Sequence, residues 1–173
     1  MSRRRRLCGL RVLGPIALEC IGCGFDGRPP ARVALTEALA LATAARARLR
    51  LIAILEPTAF GHLTVAPPLD LRTVNASLRS TLQQKLDDAA AELRQVESEP
   101  VLLDGDPGER LSEHTQSLDL LVLGSRGNGP LRSLLLGGVS AHLIRTASCP
   151  VVVCPADPDA DDSPKSKDTA DRD

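Results

Sequence analysis

Between Leu121 and Ile144 the chain reads LVLGSRGNGPLRSLLLGGVSAHLI, with glycines at 124, 127, 129, 137 and 138 and a serine at 140. Glycine lacks the Cβ that keeps other residues away from close neighbours and out of left-handed backbone. Such a cluster therefore marks a sharp turn or a close approach to something bound. The spacing Gly124-x2-Gly127-x9-Gly137 separates a short apolar run from an amphipathic one. Gly124 ends the first run, Gly127 and Gly129 let the turn fold back, and their N–H groups point outward as a nest for an anion. Gly137 and Gly138, followed by Val139 and Ser140, fall where the next helix begins, so its unpaired N–H groups and positive dipole end face the same anion. Phosphate fits that double cradle. Ser140 adds a hydroxyl to the anion or caps the helix, and its position leaves both open. A tight turn over an empty pocket would use the same glycines.

Other phosphate and catalytic signatures are missing. No Gly-x-Gly-x2-Gly opens a helix directly after a strand, and no Gly-Lys-Ser/Thr occurs anywhere in the chain. Hydrolysis of ATP needs a positioned water, a metal and charge stabilisation at the γ-phosphate. Asp26 is a candidate to hold a metal, and Arg126 or Arg132 to reach phosphate or to stay solvated. No base stands out to activate the water. His62 lies in a long loop, His114 on a surface helix, and His142 two residues beyond Ser140 as a packed or partly exposed helix residue. No Ser-His-Asp or Cys-His arrangement follows from these spacings.

The elements that must position these residues alternate between strand and helix. PIALECIGCGF is a strand buried on both faces that ends at the turn DGRPP, and ARVALTEALALATAARARL is an amphipathic helix beginning after the prolines. LRLIAILEP is a second strand, TAFGHLTVAPPLD a loop, and Leu71 to Val96 a helix with Leu78, Leu82, Leu86, Ala89 and Leu93 on one stripe. EPVLLDGDP, GERLSEHTQSL and DLLVLG give a strand, a short helix and a fourth strand. VSAHLIRTA and CPVVVC give the last helix and fifth strand. This alternation implies right-handed βαβ crossovers and a single α/β domain with a parallel sheet covered on both faces. Ligands of such sheets sit beyond the carboxyl ends of the strands, where strand order reverses. DGRPP, which carries Asp26, and GSRGNGP are the polar turns at that edge.

Composition narrows the partners. The chain is 43% apolar and 25% charged with a net charge of −1, the profile of a globular domain. Phe25 and Phe60 are its only aromatic residues, too few for a base-stacking surface, so nucleic acid is not expected as a partner. No apolar run reaches the roughly 18 residues of a membrane span. Arg3 to Arg6 and the apolar stretch after them look faintly like an export signal. Arg11 and Glu19 interrupt that stretch, and a cut before Cys23 would remove most of the first strand. Residues 1–14 are expected to be a flexible basic arm and 156–173 a disordered acidic tail, flanking a domain over 15–155. Cys20 and Cys23, three apart on a strand, point to opposite faces and cannot share a metal. Cys149 and Cys154 fail likewise. Buried, reduced thiols suit a cytoplasmic location.

DLLVLGSRGNGPLRSLLLGGVSAHLIRTASCPVVVCP resembles the C-terminal segment of the universal stress protein family, where the motif reads Gly-x2-Gly-x9-Gly-Ser/Thr. The resemblance extends back through GDP and Asp26-Gly27 to Pro15. It implies an adenine-nucleotide alpha-hydrolase-like fold with a five-stranded sheet in the order 3-2-1-4-5, a homodimer, and ATP or another adenine nucleotide between strands one and four. By position, Asp26 would lie near the nucleoside and Ile54 beside adenine. Gly127 and Gly137 would approach the phosphates, with Mg2+ present only alongside nucleotide. Gly138 departs from the motif, standing where nucleotide-binding members carry serine or threonine; its N–H remains, but a hydroxyl contact of about 1 kcal/mol is lost unless Ser140 replaces it. Phe25 fills space beside adenine or packs beneath a helix. In the implied order the last strand, Pro150 to Cys154, is an uncharged apolar edge that a second copy would cover. The expectation is a non-enzymatic stress-response sensor that binds nucleotide, against two alternatives: a nucleotide-free dimeric interaction module and a weak ATPase.

Overall fold

The computed structural model of the chain describes residues 17–56, 71–125 and 137–155. The elements are β1 (Cys20–Gly24), α1 (Pro29–Ala45), β2 (Arg48–Leu55), α2 (Leu71–Glu92), β3 (Ser98–Asp104), α3 (Pro107–His114), β4 (Leu120–Gly124), α4 (Gly138–Thr146) and β5 (Val151–Cys154). A short 3-10 turn, Thr115–Ser117, follows α3. All strand pairs are parallel and the order is β3-β2-β1-β4-β5, as the resemblance implied. The arm, the tail, the loop at 58–70 and the glycine turn with Arg126, Gly127, Gly129 and Arg132 lie outside the described residues.

Alternation along the strands feeds two cores. Cys23, Leu49, Leu51 and Val122 face α1 and α2, while Cys20, Ile52, Leu121 and Leu123 face α3 and α4. α1 meets the sheet through Ala34, Ala38 and Ala42, all fully buried and one turn apart. A methyl-sized stripe lets this helix lie close across β1 and β4. On α2, Leu86, Ala89 and nearby Leu93 are buried, but Leu78 is exposed, a correction to the expected stripe.

Local chemistry moves several expected boundaries. Prolines supply the first positions of α1 rather than preceding it, because a missing N–H costs nothing there. Arg46, at φ 55°, ends α1 in a left-handed cap whose N–H bonds to Ala42 and Thr43 carbonyls, so the helix stops before the expected Leu49. β1 starts only at Cys20, where the Asp119 carboxylate accepts the Glu19 and Cys20 N–H groups at 2.7 and 2.9 Å. That bond ties the entry of β1 to that of β4.

The two sheet edges differ. β3 carries Pro100, Glu99 and Asp104, the last paired with Arg79 of α2, so that edge is blunted. β5 is a run of three valines and a cysteine without charge, and Val152 is exposed. Among the described residues no helix is long and apolar enough to cross a membrane.

Cys20 and Cys23 do point into opposite cores. Burial pushes the Cys23 thiol up to about 12, with Cys154 adding to the rise, and burial pushes Cys149 up to about 11. Burial also raises Cys20 and Cys154. At about pH 8 only about one Cys23 in ten thousand is thiolate, so a disulfide reagent should leave Cys23 unmodified in the native protein and label it in urea. The same rise links stability to pH. Unfolded thiols titrate near the ordinary 9.0 whereas the folded Cys23 holds its proton to about 12. Its contribution is thus complete below 9.0 and lost as pH climbs toward 12. Urea titrations at about pH 8 and about pH 10 should show lower stability at the higher pH, with a smaller loss in Cys23→Ala.

Candidate functional site

β1 and β4 are neighbours at the centre of the sheet, yet β1 leads to α1 on one face and β4 connects to α4 on the other. The departing chains open a crevice beyond the strand ends. A cleft of about 350 Å³ occupies it, within the range of small-molecule sites.

The rim on the β1 side is the turn Asp26-Gly27-Arg28. Asp26 Oδ1 accepts the Arg28 N–H at 3.0 Å, and Gly27 takes φ 79°, a value that suits glycine. This hydrogen bond holds the carboxylate, whose side chain is 27% exposed, at the cleft. The Arg28 guanidinium stands beside it at the rim, Nε 3.9 Å from Asp26 Oδ2. Phe25 donates its N–H to the Ile52 carbonyl at 2.8 Å, and its ring is buried in the core under α1, so packing is its main role although it also borders the cleft.

The apolar wall comes from β2 and α3. Ile52 and Ile54 lie two apart on one face of β2, and Leu111 and Pro107 of α3 close over them. α3 is held by its cap: the Asp106 carboxylate accepts the Glu109 N–H at 2.9 Å, and Pro107 takes the first position. His142 packs against Gly108, where an added Cβ would stand 3.1 Å from its ring, and is not among the residues lining the cleft.

The two helix N-termini at the cleft differ in what they offer. α1 begins with Pro29 and Pro30, which have no N–H, and the Ala31 and Arg32 N–H groups are spent on the Arg28 carbonyl. α4 begins with Gly138, Val139 and Ser140, whose N–H groups have no intrahelical partner; the first intrahelical bond is Ala141 N–H to Gly137 O at 2.9 Å. Gly137 is the N-cap and makes no side-chain bond, so Ser140, the third helical residue, is not the cap. It is buried and lines the cleft beside Gly137, Gly138 and Val139.

Gly124 and Gly138 are bare for opposite reasons. A Cβ on Gly124 would fall 2.1 Å from the Pro30 carbonyl oxygen and 2.4 Å from its carbon, so the first turn of α1 occupies that space. Helix packing thus requires glycine at 124, where the strand ends. Around Gly138 no described residue lies within 4 Å of the added carbon.

Of the candidate residues, Asp26, Ile54, Gly124, Gly137, Gly138, Val139 and Ser140 therefore line one cleft, while Arg126, Gly127 and Gly129 lie outside the described residues. Sequence reasoning missed Arg28, Ile52, Pro107 and Leu111 as lining. Arg28 sat inside the DGRPP turn and Ile52 one strand period from Ile54. Nothing local marks Pro107 or Leu111, which tertiary packing brings in.

The sheet order and the cleft at its reversal define an α/β protein of the adenine-nucleotide alpha-hydrolase-like class. The universal stress protein family model matches residues 19–155, and the chain belongs to that family. Universal stress protein Rv2005c of Mycobacterium tuberculosis is 31% identical over 132 residues, covering 75% of this chain and 43% of that protein. The chain thus spans less than half the length of that mycobacterial relative. A universal stress protein family structure from Burkholderia pseudomallei is 29% identical at a TM-score of 0.65, covering 83% of this chain and all of that one. A family protein of Arabidopsis thaliana with AMP bound shares the fold at a TM-score of 0.57 and 21% identity, over 82% of this chain and 94% of its own.

Substitutions at the two glycines should differ sharply in cost. Gly124→Ala should cost about 3 kcal/mol or prevent folding, since backbone cannot yield as a flexible side chain does. Gly138→Ala, at a helix start and clear of the described residues, should change stability by less than about 1 kcal/mol. Urea unfolding of the two variants measures both.

Proposed function

We propose that this chain is a regulatory, non-enzymatic adenine-nucleotide binder of the stress response, holding its ligand in the β1/β4 cleft. One observation carries the reading: an apolar wall able to take a base and a helix N-terminus able to take a phosphate share a single cleft where strand order reverses. The adenine lies against Ile54 and Ile52, and Asp26 sits near the nucleoside. The phosphates meet the N–H groups of Gly137, Gly138, Val139 and Ser140, with Gly127, Gly129 and Arg126 completing the cradle. AMP in the Arabidopsis relative supports the ligand class. ATP is the proposed physiological ligand, with Mg2+ entering only alongside it.

The regulatory part of the reading rests on what surrounds the cleft. Asp26 is the single carboxylate among the described lining residues, and no histidine joins it to activate water. The N–H groups at α4 bind a ground-state phosphate as well as a reacting one, which suits a sensor.

Gly138 favours a second reading, a dimeric interaction module without nucleotide, because the hydroxyl usual at this position is gone. Calorimetric titration separates the two. Saturable heat with AMP and ATP, and a rise in melting temperature with each, is expected. Gly138→Ser, which meets no neighbour among the described residues, should tighten both by about fivefold through one added hydrogen bond. Absence of heat and of any thermal shift with every adenine nucleotide would support the module.

Pairing through β5 (Val151–Cys154) into a homodimer belongs to the same proposal. Its open edge lacks the proline and charges that blunt β3, and Ile144 of α4 is 55% exposed and Val152 38%. Sedimentation at micromolar concentration should give a dimer, and Val152→Lys a monomer with unchanged circular dichroism. A monomeric parent protein would sink this part.

A further inference from the structure

We infer that Arg28, outside the glycine motif, is a second phosphate-contacting residue and sets a preference for phosphorylated over bare nucleoside; the inference rests on the nucleotide reading above. Arg28 is the one cationic side chain among the described residues lining the cleft. Its main chain is firmly placed: its N–H is bonded to Asp26 Oδ1, glycine precedes it in a left-handed turn, and two prolines follow. Its side chain is loosely held, 68% exposed, with Nε 3.9 Å from Asp26 Oδ2 and so beyond hydrogen-bonding distance. A guanidinium has five N–H donors in a rigid fork, well matched to phosphate oxygens.

Charge and backbone chemistry both give this arginine work. Asp26 places a carboxylate in the cleft that would repel a phosphate, and Arg28 is the cation beside it. A helix N-terminus ordinarily contributes N–H groups to an anion, but α1 cannot, since its first two positions are proline and the next two N–H groups bond the Arg28 carbonyl. The side chain at its N-cap supplies positive charge that the backbone withholds. Pro30, two residues on, rests on Gly124 at the end of β4, so α1 brings Arg28 to the end of the cleft floored by that glycine. A phosphate is then held between the α4 amides on one side and the Arg28 guanidinium on the other.

Titration of adenosine, AMP and ATP into the parent chain, Arg28→Ala and Arg28→Lys tests this, with circular dichroism to confirm folding. Arg28→Ala should weaken AMP and ATP about tenfold and leave adenosine within about twofold, as expected for loss of a charged hydrogen bond to phosphate. Arg28→Lys should recover part of the loss, and the affinity of the parent for AMP should fall more steeply with salt than that of Arg28→Ala. Equal weakening of all three ligands would mean that Arg28 acts only by orienting Asp26, and would overturn the inference. So would unchanged affinities. A parent chain that binds none of the three would overturn the nucleotide reading itself, and this inference with it.

Discussion

The first turn of α1 rests directly on the backbone of Gly124, and that contact sets one wall of the cleft at the β1/β4 reversal. A Cβ at this position would stand 2.1 Å from the Pro30 carbonyl oxygen, closer than any side chain allows. The alanine stripe at 34, 38 and 42 extends the same close approach along the helix, across β1 and β4. α1 therefore lies close on one face while α4 packs on the other, and the cleft opens at the strand ends between them. Replacing small residues by larger ones along this line would lift α1 and deform the floor on which any ligand would sit.

Around that floor, positive character is distributed unevenly. α1 gives up its donors to prolines and to its own cap carbonyl, whereas α4 opens with glycine, valine and serine whose N–H groups precede the first intrahelical bond. An anion in the cleft is therefore drawn to the α4 side by main-chain groups. Opposite, Ile52, Ile54 and Leu111 offer a surface suited to a flat apolar body. One end presents N–H donors and the other apolar carbon, the pairing on which the proposed nucleotide reading rests.

Away from the cleft, the molecule finishes its sheet in two ways. Pro100, Glu99 and the Arg79–Asp104 ion pair close the β3 side, while β5 leaves its valines uncharged. The buried thiols are less chemical than their number suggests. Cys20 and Cys23 project into separate cores, and burial holds each in its neutral form, so they behave as small apolar fillers.

Much of the architecture was legible in the linear chain, because period-two and helical patterns report burial directly and the Gly124-x2-Gly127-x9-Gly137 spacing ties the last third to a known family. Boundaries were less legible: the left-handed Arg46 and the Asp119 carboxylate at the entry of β1 trim elements in ways hydropathy does not record. Leu78 kept the helical spacing of its stripe yet is exposed, since periodicity names a face without saying how far the core extends along it. The sequence by itself determined the alternation of strands and helices, the two polar turns and the residue types gathered in them. Only the tertiary structure decided that Gly124 is bare for α1 while no described neighbour crowds Gly138, that Ser140 is not the helix cap, and that Arg28, Pro107 and Leu111 share the cleft. Those facts depend on separations through space between segments far apart in the chain, and no local pattern of side chains encodes such separations.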